Sequence, residues 1–155
     1  MKFSIVTSFY NTSEYVEKLY NSLLSQTYQN WEWIVTDDFS KNSAKEQLLE
    51  ISKRDSRVKY IEQKFKQEIY YNPHKYSSLD SNFILHLGSD DMVFPKTLEV
   101  YKHFFILHPD VICLVSGGTR IRENQSWMNY IFGDVRNLNS ADWRTKYGES
   151  ETMLI

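Results

Sequence analysis

Two pairs of adjacent aspartates carry the clearest chemical potential in the sequence. Asp37-Asp38 closes the run WEWIVTDD, and Asp90-Asp91 follows FILHLGS. Neighbouring carboxylates repel one another and are costly to shelter from water, so such a pair is either solvated or faces something positive. A hard divalent cation, Mg2+ or Mn2+, meets that need, because it takes oxygen ligands and is often held by one or two carboxylates together with phosphate oxygens. Along a regular strand, adjacent side chains point to opposite faces. Past a strand end the alternation is broken, so Asp90 and Asp91 can both reach one ligand. Asp37-Asp38 lie too far along the sheet edge to need the same metal, and a carboxylate there could accept N–H or O–H donors from a base or a ribose. One such pair alone is commonly a cap or a solvated turn; two on one edge favour function.

The elements that must position these residues alternate strand with helix. FSIVTSFY (3–10) reads as a first strand, rich in β-branched and aromatic residues. Val16, Leu19, Tyr20, Leu23 and Leu24 then recur at helical spacing. Asn11, with Glu14 three residues on, is the expected capping box of that helix. WEWIVTD (31–37) is a second strand, and SAKEQLLEISKR (43–54) a second helix with Ser43 as cap and Glu46 at the matching position. RVKYIEQ (57–63) and FILHL (83–87) are the third and fourth strands, while 66–81 gives no clear pattern. Pro95 is expected in the first turn of a helix whose stripe is Leu98, Tyr101 and Phe105, ending near Pro109. VICLVSGG (111–118) reads as a fifth strand, and 119–155 as irregular or extended.

This alternation predicts an α/β fold with a mostly parallel sheet flanked by helices. Ligands of open parallel sheets bind beyond the carboxyl ends of the strands. Ser8, Tyr10 and Asn11, then Asp37-Asp38, then Ser89-Asp90-Asp91, then Ser116-Gly117-Gly118, are therefore expected on one edge.

With 155 residues, 41% of them apolar and 25% charged, the chain suits one soluble globular domain. A net charge of −2 gives no global field favouring nucleic acid or anionic membrane. The single cysteine, Cys113, excludes an internal disulfide and reads as a buried hydrophobe. No signal peptide or membrane span is evident in the sequence. His86 reads as a core histidine, His103 and His108 as surface, and Trp31 and Trp33 as packing residues. Tyr70, Tyr71 and Tyr76 could stack on a sugar or a base, or simply belong to a surface loop. Arg120 and Arg122 read as a solvated strand face.

The order SFYN, SLLSQTY, DDFS and GSDDMVFP, with the apolar strands between them, resembles the nucleotide-binding half of family 2 glycosyltransferases of the GT-A (Rossmann-like) fold. The likeness covers about residues 2–118 and implies a nucleotide-sugar-binding core over 1–118, with 119–155 as the start of an acceptor-side region. It implies that Ser8 and Tyr10 line a base pocket and that Asp38 accepts the base N–H, with Asp37 supporting the turn. Asp90 would contact ribose or metal, and Asp91 would coordinate Mn2+ or Mg2+. The implied reaction is metal-assisted, inverting transfer from a nucleotide-diphosphate sugar, UDP first, to a saccharide or glycoconjugate acceptor. A cytoplasmic location, with peripheral association at the inner face of a membrane, follows from the same likeness, and no nucleic-acid partner is expected.

Four departures from the family pattern matter. Gly88 stands where the first aspartate of the usual D-x-D falls, and Phe39 where a small or polar residue usually follows the acid pair. YYNPHKYSS replaces the Ala-Arg-Asn and glycine pattern, with Lys75 or His74 as weak basic substitutes. The sequence ends at Ile155, where relatives continue into the region supplying the base. Asp142, Glu149 and Glu151 are acidic candidates, but no base is assigned. The competing reading is a donor-binding domain incomplete for catalysis. A receiver-like or phosphatase-like domain is disfavoured, since those gather acids after the first strand. A nucleotidyltransferase is disfavoured because SFYNTSEY has neither glycine nor a basic residue.

Overall fold

A computed structural model describes residues 1–63, 80–111, 114, 119–122 and 125–129, the last two ranges by their backbone. Two compact units result, Met1–His103 and Phe104–Ile155. The expected strand over 111–118 falls largely outside the described residues, as do Cys113, the 70–76 tyrosines and the candidate bases.

In the first unit, β1 (Phe3–Phe9), β2 (Trp31–Asp37), β3 (Val58–Ile61) and β4 (Phe83–His86) form one sheet, all parallel, in the order β3-β2-β1-β4. Helices α1 (Ser13–Leu24) and α2 (Ala44–Arg54) connect the first three strands, and α3 (Thr97–Leu107) follows β4. The steps β1 to β2 and β2 to β3 run in the same direction. Right-handed crossovers then put α1 and α2 on one face of the sheet. Their apolar stripes, Val16, Leu19, Tyr20 and Leu23 with Leu48 and Ile51, meet Phe3, Ile5, Phe9, Trp33 and Val35 there, together with Leu98 of α3. Val6 and Ile34, packed with Ile61, form a smaller cluster apart from that core.

Trp33 is the centre of the core. It is fully buried, stacked on Tyr20 at 6.1 Å and set edge-on to Phe9 at 6.0 Å. Its indole N–H donates to Thr7 Oγ1 at 3.1 Å. Trp31 is buried too, under the Arg57 guanidinium at 3.9 Å. Both tryptophans pack, as expected. In the second unit, β5 (Thr119–Arg122) and β6 (Gln125–Asn129) pair antiparallel, so part of the 119–155 stretch is extended.

Three local expectations are corrected. Asn11 does not cap α1; the cap position is Thr12, with no side-chain hydrogen bond, because Asn11 is engaged across the sheet edge. Ser43 does occupy the cap position of α2, but its hydroxyl accepts from Gln47 Nε2 at 3.0 Å, and Asn42 Oδ1 takes the Ala44 N–H instead. Pro95 lies in a turn two residues before α3, and its carbonyl accepts the Thr27 N–H at 2.8 Å. The helix does end just short of Pro109.

Candidate functional site on the carboxyl edge of the sheet

Strand order reverses beside β1, since β2 and β3 lie on one side of it and β4 on the other. The crevice outside the carboxyl ends at such a reversal is where open α/β sheets bind ligands. The carboxyl ends of β1 and β2 and the segments after β1, β2 and β4 carry all six of the expected site residues.

The first two segments are tied together. Phe9 and Asp37 are register partners at the ends of β1 and β2, and the Asp38 N–H donates to the Phe9 carbonyl at 2.8 Å. The Asn11 N–H donates to Ser40 Oγ at 2.9 Å, and the Lys41 N–H returns to Asn11 Oδ1 at 2.8 Å. Asn11 (φ 54°) and Phe39 (φ 61°) are the non-glycine residues with left-handed backbones among the described residues. Asparagine tolerates that region; a bulky phenylalanine there is strained. Ser8 and Tyr10 continue the alternation of β1 and are both exposed, while Phe9 between them is buried.

Asp37 and Asp38 are 5% and 6% exposed. Asp37 Oδ2 accepts the Ser40 N–H at 3.0 Å, while its Oδ1 has no hydrogen-bond partner. An oxygen buried without a donor is expensive to keep in a fold, and a donor from a ligand would relieve it. A depression of about 200 Å³ has Asp37 in its wall, together with Phe39, Ser40, Lys45, Tyr60 and Glu62. Lys45 is paired with Glu62 at 2.9 Å across this hollow. Burial pushes the Tyr60 phenol up from its ordinary value, so it stays protonated and able to donate.

The acid pair after β4 sits differently. The Leu87 N–H continues the ladder to the Val6 carbonyl at 3.1 Å, and the chain then turns, with the Asp91 N–H donating to the Gly88 carbonyl at 3.2 Å. The Asp91 side chain folds back, and its Oδ2 accepts the Gly88 N–H at 3.0 Å. Asp90 is exposed and Asp91 is half-buried. Burial pushes the Asp91 carboxyl up; the Gly88 N–H opposes the rise and the charge of Asp90 adds to it. Among the described residues no three His, Cys, Asp or Glu side chains gather as a metal cluster, so any cation here must draw further ligands from elsewhere.

β2 and β4 are two strand spacings apart, about 10 Å. Asp37-Asp38 and Asp90-Asp91 therefore belong to two ends of one crevice and do not form a single four-carboxylate cluster.

Gln26 is a residue to which the sequence reading gave no role. It is 2% exposed, at the end of α1. Its Nε2 donates to the Phe94 carbonyl at 2.8 Å, and its Oε1 accepts the Leu98 N–H at 3.1 Å. Ser22 Oγ accepts the Val93 N–H at 3.3 Å, and Thr27 Oγ1 donates to Glu99 at 2.8 Å. The SLLSQTY stretch thus clamps the segment that leaves the acid pair. A polar Gln-Thr directly after an apolar helix stripe was the available signal. His86 is half-buried on β4, and burial lowers its pKa, which fits a neutral packing residue.

Comparison with known proteins agrees with this architecture. The family described as "Glycosyl transferase family 2" matches residues 4–153. The chain is 34% identical over 100 residues to the UDP-Glc:alpha-D-GlcNAc-diphosphoundecaprenol beta-1,3-glucosyltransferase WfgD of Escherichia coli, covering 63% of this chain and 38% of that protein. It is 28% identical over 111 residues to glycosyltransferase GlyA of Streptococcus pneumoniae, covering 71% and 16%. Among solved structures, Staphylococcus aureus TarS in complex with UDP-GlcNAc superposes with a TM-score of 0.62 at 26% identity, over 70% of this chain and 32% of TarS. The Pyrobaculum calidifontis mannosyltransferase PcManGT, in complex with GDP-Man and Mn2+, shares the fold with a TM-score of 0.60 at 11% identity, over 71% of this chain and 33% of its own. The fold is GT-A. The chain spans well under half the length of each of these relatives.

Proposed function

The chain belongs to glycosyl transferase family 2, and from that premise we propose that it is the donor-binding part of an enzyme that transfers a sugar, with inversion, from a nucleotide-diphosphate sugar to a saccharide or glycoconjugate acceptor. A UDP-sugar is the first candidate donor, in keeping with the UDP-GlcNAc held by TarS and the UDP-Glc named for WfgD. The observation that carries the proposal is the pairing of a buried acid pair, one oxygen of it without a donor, with a second acid pair two strands away across the strand-order reversal.

In this reading the base lies against Ser8 and Tyr10 and donates an N–H to Asp38. Asp37 holds the turn through Ser40 and offers its free Oδ1 to a second donor. The diphosphate lies toward β4. The donor set there, carboxylate oxygens converging beside Gly88, suits Mg2+ or Mn2+ completed by phosphate oxygens. Asp91 and Asp90 would hold that cation. When bound, it supplies Lewis-acid stabilisation of the departing diphosphate. Deprotonation of the acceptor hydroxyl belongs to a carboxylate base that we assign to no residue here. No described helix is long and apolar enough to cross a membrane; a cytoplasmic site of action, with peripheral contact at the inner face of a membrane, is part of the proposal.

The test is calorimetric titration of the purified chain with UDP, GDP and dTDP, each with and without Mn2+. Micromolar, Mn2+-dependent binding of one nucleotide is the expected result and names the nucleotide. Failure of all three to bind would overturn the donor-site reading.

A further inference from the structure

Gly88 occupies the position at which the family pattern carries its first aspartate, yet the carboxylates of the other two acids crowd onto it. A Cβ at residue 88 would lie 2.8 Å from Asp91 Oδ2 and 3.1 Å from Asp90 Oδ1. Oxygens from two separate side chains therefore face one small volume that only glycine leaves empty. Asp91 Oδ2 is held at that volume by the Gly88 N–H itself, at 3.0 Å. The glycine is not there for backbone freedom, because its φ lies outside the left-handed region. What it provides is room and a donor.

We infer that Gly88 is a positioning residue for the cation site: its missing side chain lets the Asp90 and Asp91 carboxylates converge, and its amide fixes Asp91 in that pose. The inference rests on the donor-and-cation reading above. Two carboxylates facing one volume, one of them held by the Gly88 amide, present a cation with a pair of oxygen ligands. A methyl group at residue 88 would displace Asp91 Oδ2 and press on Asp90 Oδ1. The atoms it meets are the free ends of side chains, so the displacement costs convergence and leaves the backbone in place. An aspartate at 88 would add a third charge to the same volume and separate the pair further.

The test needs neither donor nor turnover. Mn2+ binding to the whole chain is measured by electron paramagnetic resonance of the free ion, with thermal unfolding recorded alongside. Gly88→Ala is expected to raise the Mn2+ Kd about tenfold or more, with an unchanged unfolding midpoint. Asp91→Glu keeps the charge but moves the carboxylate one methylene away from the Gly88 amide, and is expected to weaken Mn2+ in the same direction without touching residue 88. Mn2+ affinity in folded Gly88→Ala equal to that of the unsubstituted chain would overturn the inference alone. Absence of Mn2+ binding in the unsubstituted chain would overturn the cation reading and this inference with it.

Discussion

Phe39 adopts a left-handed backbone, which costs an ordinary L-residue about 1–2 kcal/mol, at the turn that bears Asp37 and Asp38. Phe39 is 47% exposed and lines the depression beside Asp37, so burial offsets only part of the strain. Phe39→Asn is expected to stabilise the chain by about 1 kcal/mol, since asparagine tolerates this conformation, and to weaken nucleotide binding by removing the ring. A urea midpoint that falls would show that the ring supports the turn. Asp91→Asn keeps the size of the side chain but removes its charge. It should abolish Mn2+-dependent nucleotide binding with unfolding unchanged; a variant that binds UDP and Mn2+ normally would exclude Asp91 as a metal ligand. The identities of Phe39 and Gly88 were legible as departures from a family pattern. That Phe39 sits at φ 61°, and that Gly88 lies beneath two carboxylates, was not, because neither follows from local spacing.

Helix α1 carries more than its apolar stripe. Its last turn and the residues after it reach the β4–α3 segment through Gln26, Ser22 and Thr27. Gln26→Ala would leave the buried Leu98 N–H without an acceptor, a loss of about 1–3 kcal/mol. We expect a lower urea midpoint with an unchanged slope, and weaker Mn2+ binding because the segment leaving Asp91 loses its anchor. A variant as stable as the parent would mean that a water or another side chain takes over the Leu98 amide. The α1 stripe and its length were readable from periodicity. Its cap was not: Asn11 reads as a capping residue in isolation, and tertiary structure recruits it to Ser40 and Lys41 instead.

Across the whole molecule, one buried charge couples the sheet to pH. Glu32 is 3% exposed and receives Lys59 Nζ at 2.6 Å, Lys2 Nζ at 2.9 Å and the Ser4 hydroxyl. Burial alone would raise its carboxyl; the hydrogen bonds from Lys59, Ser4 and Lys2 outweigh it and hold the pKa at about 2 against an ordinary 4.5. Asp55, bonded foremost by the Arg57 guanidinium, is likewise held at about 2. A carboxyl with a depressed native pKa contributes stability that is complete above its unfolded pKa and fades as pH falls to the native one. The chain should therefore lose stability between about pH 4.5 and pH 2, with Glu32 contributing about 3 kcal/mol of the fall. Urea unfolding at pH 7 and pH 3 measures the part lost above the native pKa, about 2 kcal/mol for Glu32. Glu32→Gln should flatten the dependence, and an unaltered pH profile in that variant would remove Glu32 from the account.

The sequence by itself determined the kind of each element from β1 to α3 and where the acids fall. Those depend on local periodicity: β-branched runs for β1 and β2, the 3.6-residue stripe for α1 and α2, and apolar runs that stop at Asp37 and just before Gly88. Even the placement of both acid pairs on one edge followed, since every strand of a parallel sheet ends on the same side. Only the tertiary structure decided the order β3-β2-β1-β4 and the pairing of β1 with β4, which put the two acid pairs at opposite ends of one crevice. It alone brought Gln26 to Phe94 and Leu98, 68 and 72 residues away, and folded Asp91 onto the Gly88 amide. Contacts of that range depend on crossover direction and on which buried donors must find acceptors. A local pattern carries no record of either.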